Sequence, residues 1–229
     1  MKHPILIFYH IYAYGDWKYI VESQLAKLKD SRVYDECLAM FISFIGDDKQ
    51  LKQYYELIKD FKKAHTIKWD SENNKEYDIL HAMWYYAQET FPYREGSGID
   101  ADVLYFHTKG VYSSRENALI QIRMTDWRNM MEYFVIDRWV YCTEKLKEVD
   151  AVGCNFRQQP FFEWGLRGHF SGNFWWAKLS YIYKLSEPKK DWDVAYNEFW
   201  IGEKQPLVYL LHESGIDHYK ENYPAERYI

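Results

Sequence analysis

Apolar and polar positions fall into alternating blocks along the chain. Pro4 to Tyr9 is a continuous apolar run that leads into His10, Gly15 and Asp16, which predicts a strand buried on both faces. Ile20, Gln24, Leu25 and Leu28 then recur at helical spacing from Trp17, and Lys29, Asp30 and Ser31 end that helix. Cys37 to Ile45 predicts a second buried strand, stopped by Gly46, Asp47 and Asp48. Leu51, Tyr54, Tyr55, Ile58 and Phe61 predict a helix over Lys49 to Lys63. A short strand over His65 to Trp69 and an amphipathic helix over Glu76 to Thr90 follow. Pro92, Gly96 and Gly98 predict a loop from Phe91 to Gly98.

Asp102 to Phe106 reads as another strand, closed by His107, Thr108, Lys109 and Gly110. Asn117 to Glu148 is the longest helical stretch, and its apolar stripe allows a break part-way. Ala151 to Phe156 predicts a strand, and a loop rich in Gly, Gln and aromatics runs on to Ser171. Asn173 to Ala177 reads as a strand, Leu179 to Leu185 as a short helix and Tyr196 to Trp200 as a helical turn. Pro206 to His212 begins a last helix or strand. Strands and helices alternate through the first 150 residues. This order predicts one α/β domain over residues 1–229, with a mostly parallel sheet and helices on both faces.

Composition narrows the classes. The 229 residues are 48% hydrophobic, enough to bury a core, so disorder is excluded as the main state. A net charge of −5 argues against a nucleic-acid binder that works by bulk electrostatics. Cys37, Cys142 and Cys154 form no CxxC pair, which supports neither a zinc ribbon nor a disulfide scaffold and suggests a reducing compartment. No apolar run reaches the roughly 20 residues of a membrane span, and the N-terminal run is too short for a signal-peptide core. A soluble, cytoplasmic chain is the expectation. Aromatic residues make up 20%, which fits either an aromatic-rich core or a surface that stacks on sugars or bases.

The phosphate-loop, GxGxxG, GxSxG and HExxH signatures are absent, which weakens ATPase, dehydrogenase, hydrolase and zinc-protease readings. What remains is a set of polar residues at strand ends, where open α/β sheets bind ligands. Tyr9 and His10, then Asp47 and Asp48, then His107, Thr108 and Lys109 end three strands. Lys109 beside Gly110 suits a phosphate contact, against a plain solvated lysine. Asp100 and Asp102 have the spacing of a metal-binding pair but precede their strand, at the opposite end of the sheet. Gly172 allows close backbone approach, and Asn173 offers a donor and an acceptor. Trp175 and Trp176 would project to opposite faces, one into the core and one toward a sugar or base. Glu198, flanked by aromatics, suits general-base work if buried and is otherwise a helix-surface glutamate. His212 and His218 read as metal or pyrophosphate contacts or as structural histidines.

Taken in order, His107 to Gly110, Trp127 and Arg128, Asp150 to Gly153, Phe170 to Ala177, and Asn197 with Glu198 resemble small GT-A-type glycosyltransferases. The likeness is to single-domain sugar transferases of large algal viruses and of bacterial polysaccharide clusters. It implies a GT-A-like, Rossmann-like sheet with a nucleotide-binding half over 1–110 and a half for donor sugar and acceptor over 111–229. It implies a nucleotide-sugar donor, of UDP type, near Tyr9, His10, His107, Thr108, Lys109, Gly172, Trp175 and His212. Asn173 and Glu198 take the catalytic positions, with Glu198 as the base of an inverting transfer; a retaining transfer would need no such base. The acceptor is a glycan or glycoprotein hydroxyl, and a viral source would place the protein in host cytoplasm. Such enzymes carry DxD and a divalent Mn²⁺ or Mg²⁺ after the central strand. Here that loop holds His107, Thr108 and Lys109, so either Asp102, His212 or His218 holds a cation or Lys109 supplies the charge. A carbohydrate-binding module and a nucleotidyltransferase are the rival readings.

Overall fold

The computed structural model describes residues 3–70, 76–95, 100–112, 116–160, 165–190 and 194–229. The elements follow in order: β1 (Ile5–Tyr12), α1 (Trp17–Asp30), α2 (Val33–Glu36), β2 (Cys37–Ile45), α3 (Asp48–Ile58), β3 (Ala64–Asp70) and α4 (Tyr77–Glu95). Then come β4 (Asp102–His107), α5 (Ala118–Glu132), α6 (Trp139–Leu146), β5 (Ala151–Cys154), β6 (Phe156–Pro160) and β7 (Leu166–Phe170). The chain finishes with β8 (Trp175–Lys178), α7 (Leu179–Ile182), α8 (Val194–Phe199) and β9 (Val208–His212).

Seven strands form one sheet in the order β3-β2-β1-β4-β8-β5-β9. The first four are parallel, β8 runs antiparallel to both β4 and β5, and β9 is parallel to β5. This is the expected mostly parallel, Rossmann-like sheet. Strand alternation divides its two faces. Ile5, Ile7, Tyr9 and Ile11 of β1 join one core with α1, α3, α5 and α6. Leu6 and Phe8 join the other with α4 and α7. Both faces are thus covered, which is why the strands read as unbroken apolar runs.

Several elements differ from the sequence reading. The helix α4 runs past Phe91 to Glu95, through Pro92; a proline removes one donor without forcing the end of a helix that is packed on the sheet. Gly96 and Gly98 lie outside the described residues. The break that the long helical stretch allows does occur, at a π-helical turn, Tyr133–Asp137, between α5 and α6. The loop expected before Ser171 contains a two-stranded antiparallel ribbon of β6 and β7, whose half-exposed polar residues hide the strand pattern. Gly172 and Asn173 form the turn into β8 rather than part of the strand. Asp47 caps α3 through a reciprocal pair with Gln50, so it serves the helix. The three cysteines are free and buried. Among the described residues no helix is long and apolar enough to cross a membrane.

Candidate active site

Parallel register lines up three polar side chains across the sheet. His10 of β1 lies opposite Ser43 of β2 and opposite His107 of β4. Alternation points His10 and His107 to the face that buries Leu6, Phe8, Val103 and Tyr105, beneath α4. His10 Nδ1 meets Ser43 Oγ at 2.8 Å, and burial pushes the His10 imidazole down to about 3. His107 Nε2 lies 3.1 Å from the Gly172 carbonyl. A carbonyl only accepts, so Nε2 carries the proton. Burial, then the neighbouring Lys109 and His10, hold His107 well below its ordinary range. The ring is neutral, and its bare Nδ1 faces Glu76 Oε1 at 3.5 Å.

Glu76 immediately precedes α4 and is 8% exposed. Its Oε2 accepts a 2.8 Å bond from Asn173 Nδ2. Burial raises its carboxyl to about 8; the charge of Glu198 pushes the same way, while Lys109 and the Asn173 bond oppose. Glu76 is therefore mostly a protonated acid at neutral pH, able to donate toward His107. Asn173 accepts from Trp175 Nε1 at 2.9 Å, so its amide is oriented by a partner that only donates. It adopts φ of 59°, a left-handed conformation that Asn tolerates. Gly172 before it has φ of 93°, and a Cβ there would lie 2.4 Å from Met131 Sδ. Only glycine brings this turn against α5.

These groups floor a cavity of about 460 Å³. His10, Glu76, His107, Thr108 and Lys109 come from the sheet side, and Asn197 and Glu198 from α8. Tyr12, Tyr112 and Tyr219 supply aromatic walls with Ile120 and Met124. The cavity opens at the carboxyl ends of β1 and β4. The strand order reverses there, since β1 is followed in sequence by β2 on one side while β4 lies on the other. The Asn197 Oδ1 is buried and has no hydrogen-bond partner, an acceptor aimed at nothing in the protein.

A buried polar network fixes the loop under Lys109. Tyr9 donates to Gln24 Oε1 at 2.6 Å. Gln24 Nε2 donates to the His107 carbonyl at 3.1 Å and to Glu132 Oε1 at 2.8 Å. Arg128 Nη1 donates to the Lys109 carbonyl at 3.0 Å and pairs with Glu132 at 3.6 Å. The Lys109 ammonium itself stands 4.3 Å from the centre of the Trp127 ring.

Residues 8–222 match a family described as a domain of unknown function, DUF8361. The chain belongs to that family. No curated protein matches it. A crystal structure of 4-diphosphocytidyl-2C-methyl-D-erythritol synthase is similar in fold, with a TM-score of 0.45 and 10% identity over 99% of this chain and 95% of that one. The strand order and register described above, rather than this likeness, establish the fold.

The DUF8361 chain thus brings together His10, His107, Thr108, Lys109 and Glu198 of the residues expected from sequence. It separates the others. Tyr9 is fully buried on the opposite face of the sheet, so it supports the loop and cannot meet a base. Trp175 and Trp176 do point to opposite faces, but both are core: helices cover each side, which leaves neither ring for a sugar. Asn173 and Gly172 do not line the cavity; they bond Glu76 and His107, which do. Thr108 Oγ1 is taken by the Tyr12 backbone N–H at 2.9 Å. His212 bonds the Tyr223 hydroxyl at 2.7 Å and stacks on Phe134. The expected metal candidates do not converge. Asp102 starts β4, about 17 Å of strand away from the cavity, and pairs with His3. Among the described residues no three His, Cys, Asp or Glu side chains are grouped to hold a cation. Sequence reasoning missed Glu76. Its one signal was a carboxylate at the start of an amphipathic helix, indistinguishable there from a capping residue.

Proposed function

We propose that this protein is a glycosyltransferase that moves a sugar from a nucleoside-diphosphate sugar, of UDP type, to a glycan hydroxyl. The observation that carries the reading is the meeting of Lys109 with two carboxyl side chains, Glu76 and Glu198, in one aromatic-walled cavity at the sheet's switch point. In this scheme Tyr12, Tyr112 and Tyr219 flank the donor, and Lys109 faces its diphosphate. Glu198 takes the proton of the acceptor hydroxyl. The acceptor oxygen bonds to the anomeric carbon, the bond to the diphosphate breaks, and the leaving diphosphate keeps the electron pair. Lys109 stabilises that developing charge. Glu76, a neutral acid beside Lys109, lets the lysine keep its charge for the ligand.

Among the described residues no three His, Cys, Asp or Glu side chains are grouped to hold a divalent cation, so in this scheme the Lys109 ammonium supplies the positive charge. A nucleotidyltransferase needs a carboxylate pair that holds a divalent cation, and among the described residues no such grouping of acidic side chains is present. The test is a thermal-shift screen of UDP, GDP, dTDP, CMP, UTP and CTP, each with Mn²⁺ and with EDTA. A diphosphate at 100 times its dissociation constant adds about 2.7 kcal/mol. A shift with one diphosphate that survives EDTA is expected. Stabilisation by triphosphates alone would replace the reading with nucleotidyl transfer, and no shift with any nucleotide would end it.

A further inference from the structure

The cavity at the switch point changes character between floor and mouth. His10, Glu76 and Thr108 at its floor are buried, whereas Tyr112 and Tyr219 at its mouth are 55% and 62% exposed. At the floor His10 commits Nδ1 to Ser43, and among the described residues its Nε2 is neither bonded nor sealed off. The imidazole thus keeps one nitrogen for a ligand. The volume of about 460 Å³ lies within the roughly 300–1,000 Å³ range of small-molecule sites.

The mouth is held in place from behind. Asn117 caps α5 by accepting from the Ile120 N–H at 3.1 Å, and the Glu116 carbonyl accepts from Gln121 Nε2 at 2.8 Å. Glu116, Ile120 and Met124 line the cavity together, at the spacing that puts residues on one face of a helix. The Tyr112 ring packs on Tyr12 and Tyr14, with centres 5.3 and 4.9 Å away. The Tyr219 ring meets Trp127 edge-on at 5.3 Å, and the Tyr219 carbonyl accepts from Arg123 Nη1 at 3.1 Å. Two exposed rings and one exposed carboxylate are therefore fixed around the same opening.

Charge narrows the ligand. Burial keeps His10 and His107 neutral and Glu76 protonated. The charged groups that remain are the Lys109 ammonium and the Glu116 and Glu198 carboxylates. The Lys109 ammonium sits over the Trp127 ring, and among the described residues neither glutamate pairs with a lysine, arginine or histidine. Glu76 feels the charge of Glu198, which sets Glu198 toward the floor and leaves Glu116 at the mouth. A neutral or anionic ligand that covers Glu116 strips water from a carboxylate and returns nothing. An ammonium group returns a charge-assisted hydrogen bond and rests against tyrosine faces.

We infer that the mouth of this cavity is a subsite for an amine-bearing sugar, whose ammonium group pairs with the Glu116 carboxylate beside the Tyr112 and Tyr219 rings. That this sugar is the acceptor rests on the transferase reading. Its binding does not.

The test titrates the full chain, without nucleotide and at pH 6.5, with methyl glycosides of glucosamine and galactosamine. Methyl glycosides of their N-acetyl forms, of glucose and galactose, and of glucuronic acid serve for comparison. The readout is the tyrosine ring signals in NMR, assigned from Tyr112→Phe and Tyr219→Phe. One amino sugar should move both signals saturably, about tenfold more tightly than its N-acetyl and neutral counterparts, and the glucuronide should bind worst. Glu116→Gln should erase that preference. The Asn117 cap and the Gln121 bond do not use the Glu116 side chain, so the fold is retained. The inference is overturned if no amino sugar moves the signals, if an N-acetyl, neutral or acidic glycoside binds as tightly, or if Glu116→Gln keeps the preference. A chain that binds a nucleoside diphosphate without preferring the amine keeps the transferase and loses this subsite. A chain that prefers the amine but binds no nucleotide does the reverse.

Discussion

The Glu76 carboxyl faces the one ring nitrogen of His107 that carries no proton, at 3.5 Å. The Gly172 carbonyl fixes this arrangement from the far side of the ring by taking the Nε2 proton. An acid raised to about 8 and a base held well below its usual range then share one proton between them. Ionising Glu76 strands a charge beside the bare Nδ1, which is the physical reason the pair stays neutral.

That pairing gives stability a pH dependence. The Glu76 carboxyl binds its proton more tightly folded than unfolded. Its neutral form is therefore favoured by folding, and this part of stability falls as pH rises from about 4.5 toward 8. Glu76→Gln, which keeps the shape without the titration, should show a flatter profile in urea unfolding at pH 5, 6.5 and 8. Parallel profiles for the two proteins would mean that Glu76 is ionised in the fold.

Lys109→Ala should weaken nucleoside-diphosphate binding at least tenfold, the scale of one charge-assisted hydrogen bond. Calorimetric titration checks it, and unchanged affinity would remove Lys109 from the phosphate site. Because Lys109 lowers the Glu76 carboxyl, the same variant should push that acid higher still. Lys109→Arg should retain part of both effects.

Glu198→Gln should leave donor affinity intact and reduce transfer by roughly 10²-fold or more if Glu198 is the base. Radiolabelled sugar transfer, read beside nucleotide affinity, separates the two. Near-normal transfer would send the proton elsewhere, with Glu76 the first place to look.

Asn173 joins Glu76 to Trp175 and adopts a left-handed backbone. Asn173→Gly keeps that backbone and loses both bonds, at about 1–3 kcal/mol. Asn173→Ala should be about 1 kcal/mol worse again, because its Cβ resists φ of 59°. Urea midpoints rank the three proteins, and an alanine variant more stable than the glycine variant would contradict the turn geometry.

The sheet was legible in the sequence because its strands are buried on both faces and read as unbroken apolar runs, as in Cys37 to Ile45. The ribbon of β6 and β7 was not, since its outer half carries Arg157, Gln158 and Gln159 in no apolar alternation. For the site, polar residues at strand ends pointed correctly to His10, His107 and Lys109 as neighbours. Tyr9 misled because adjacent residues of a strand face opposite ways, and only the register shows which face is open. Glu76 was invisible, because it lies far from His107 along the chain, at a helix start that carries no motif.

The row of Ser43, His10 and His107 hangs from three adjacent strands, so backbone hydrogen bonding at about 4.8 Å spacing sets its geometry. The rim is built otherwise, with Tyr112, Glu116 and Tyr219 outside any strand. Insertions in those segments re-cut the opening and leave the floor untouched. One residue inserted within β1 ahead of His10 turns the imidazole to the opposite face and erases the row. Floor and rim of the cavity in this fold are therefore separately mutable, the first locked to the reading frame of the sheet and the second free to drift.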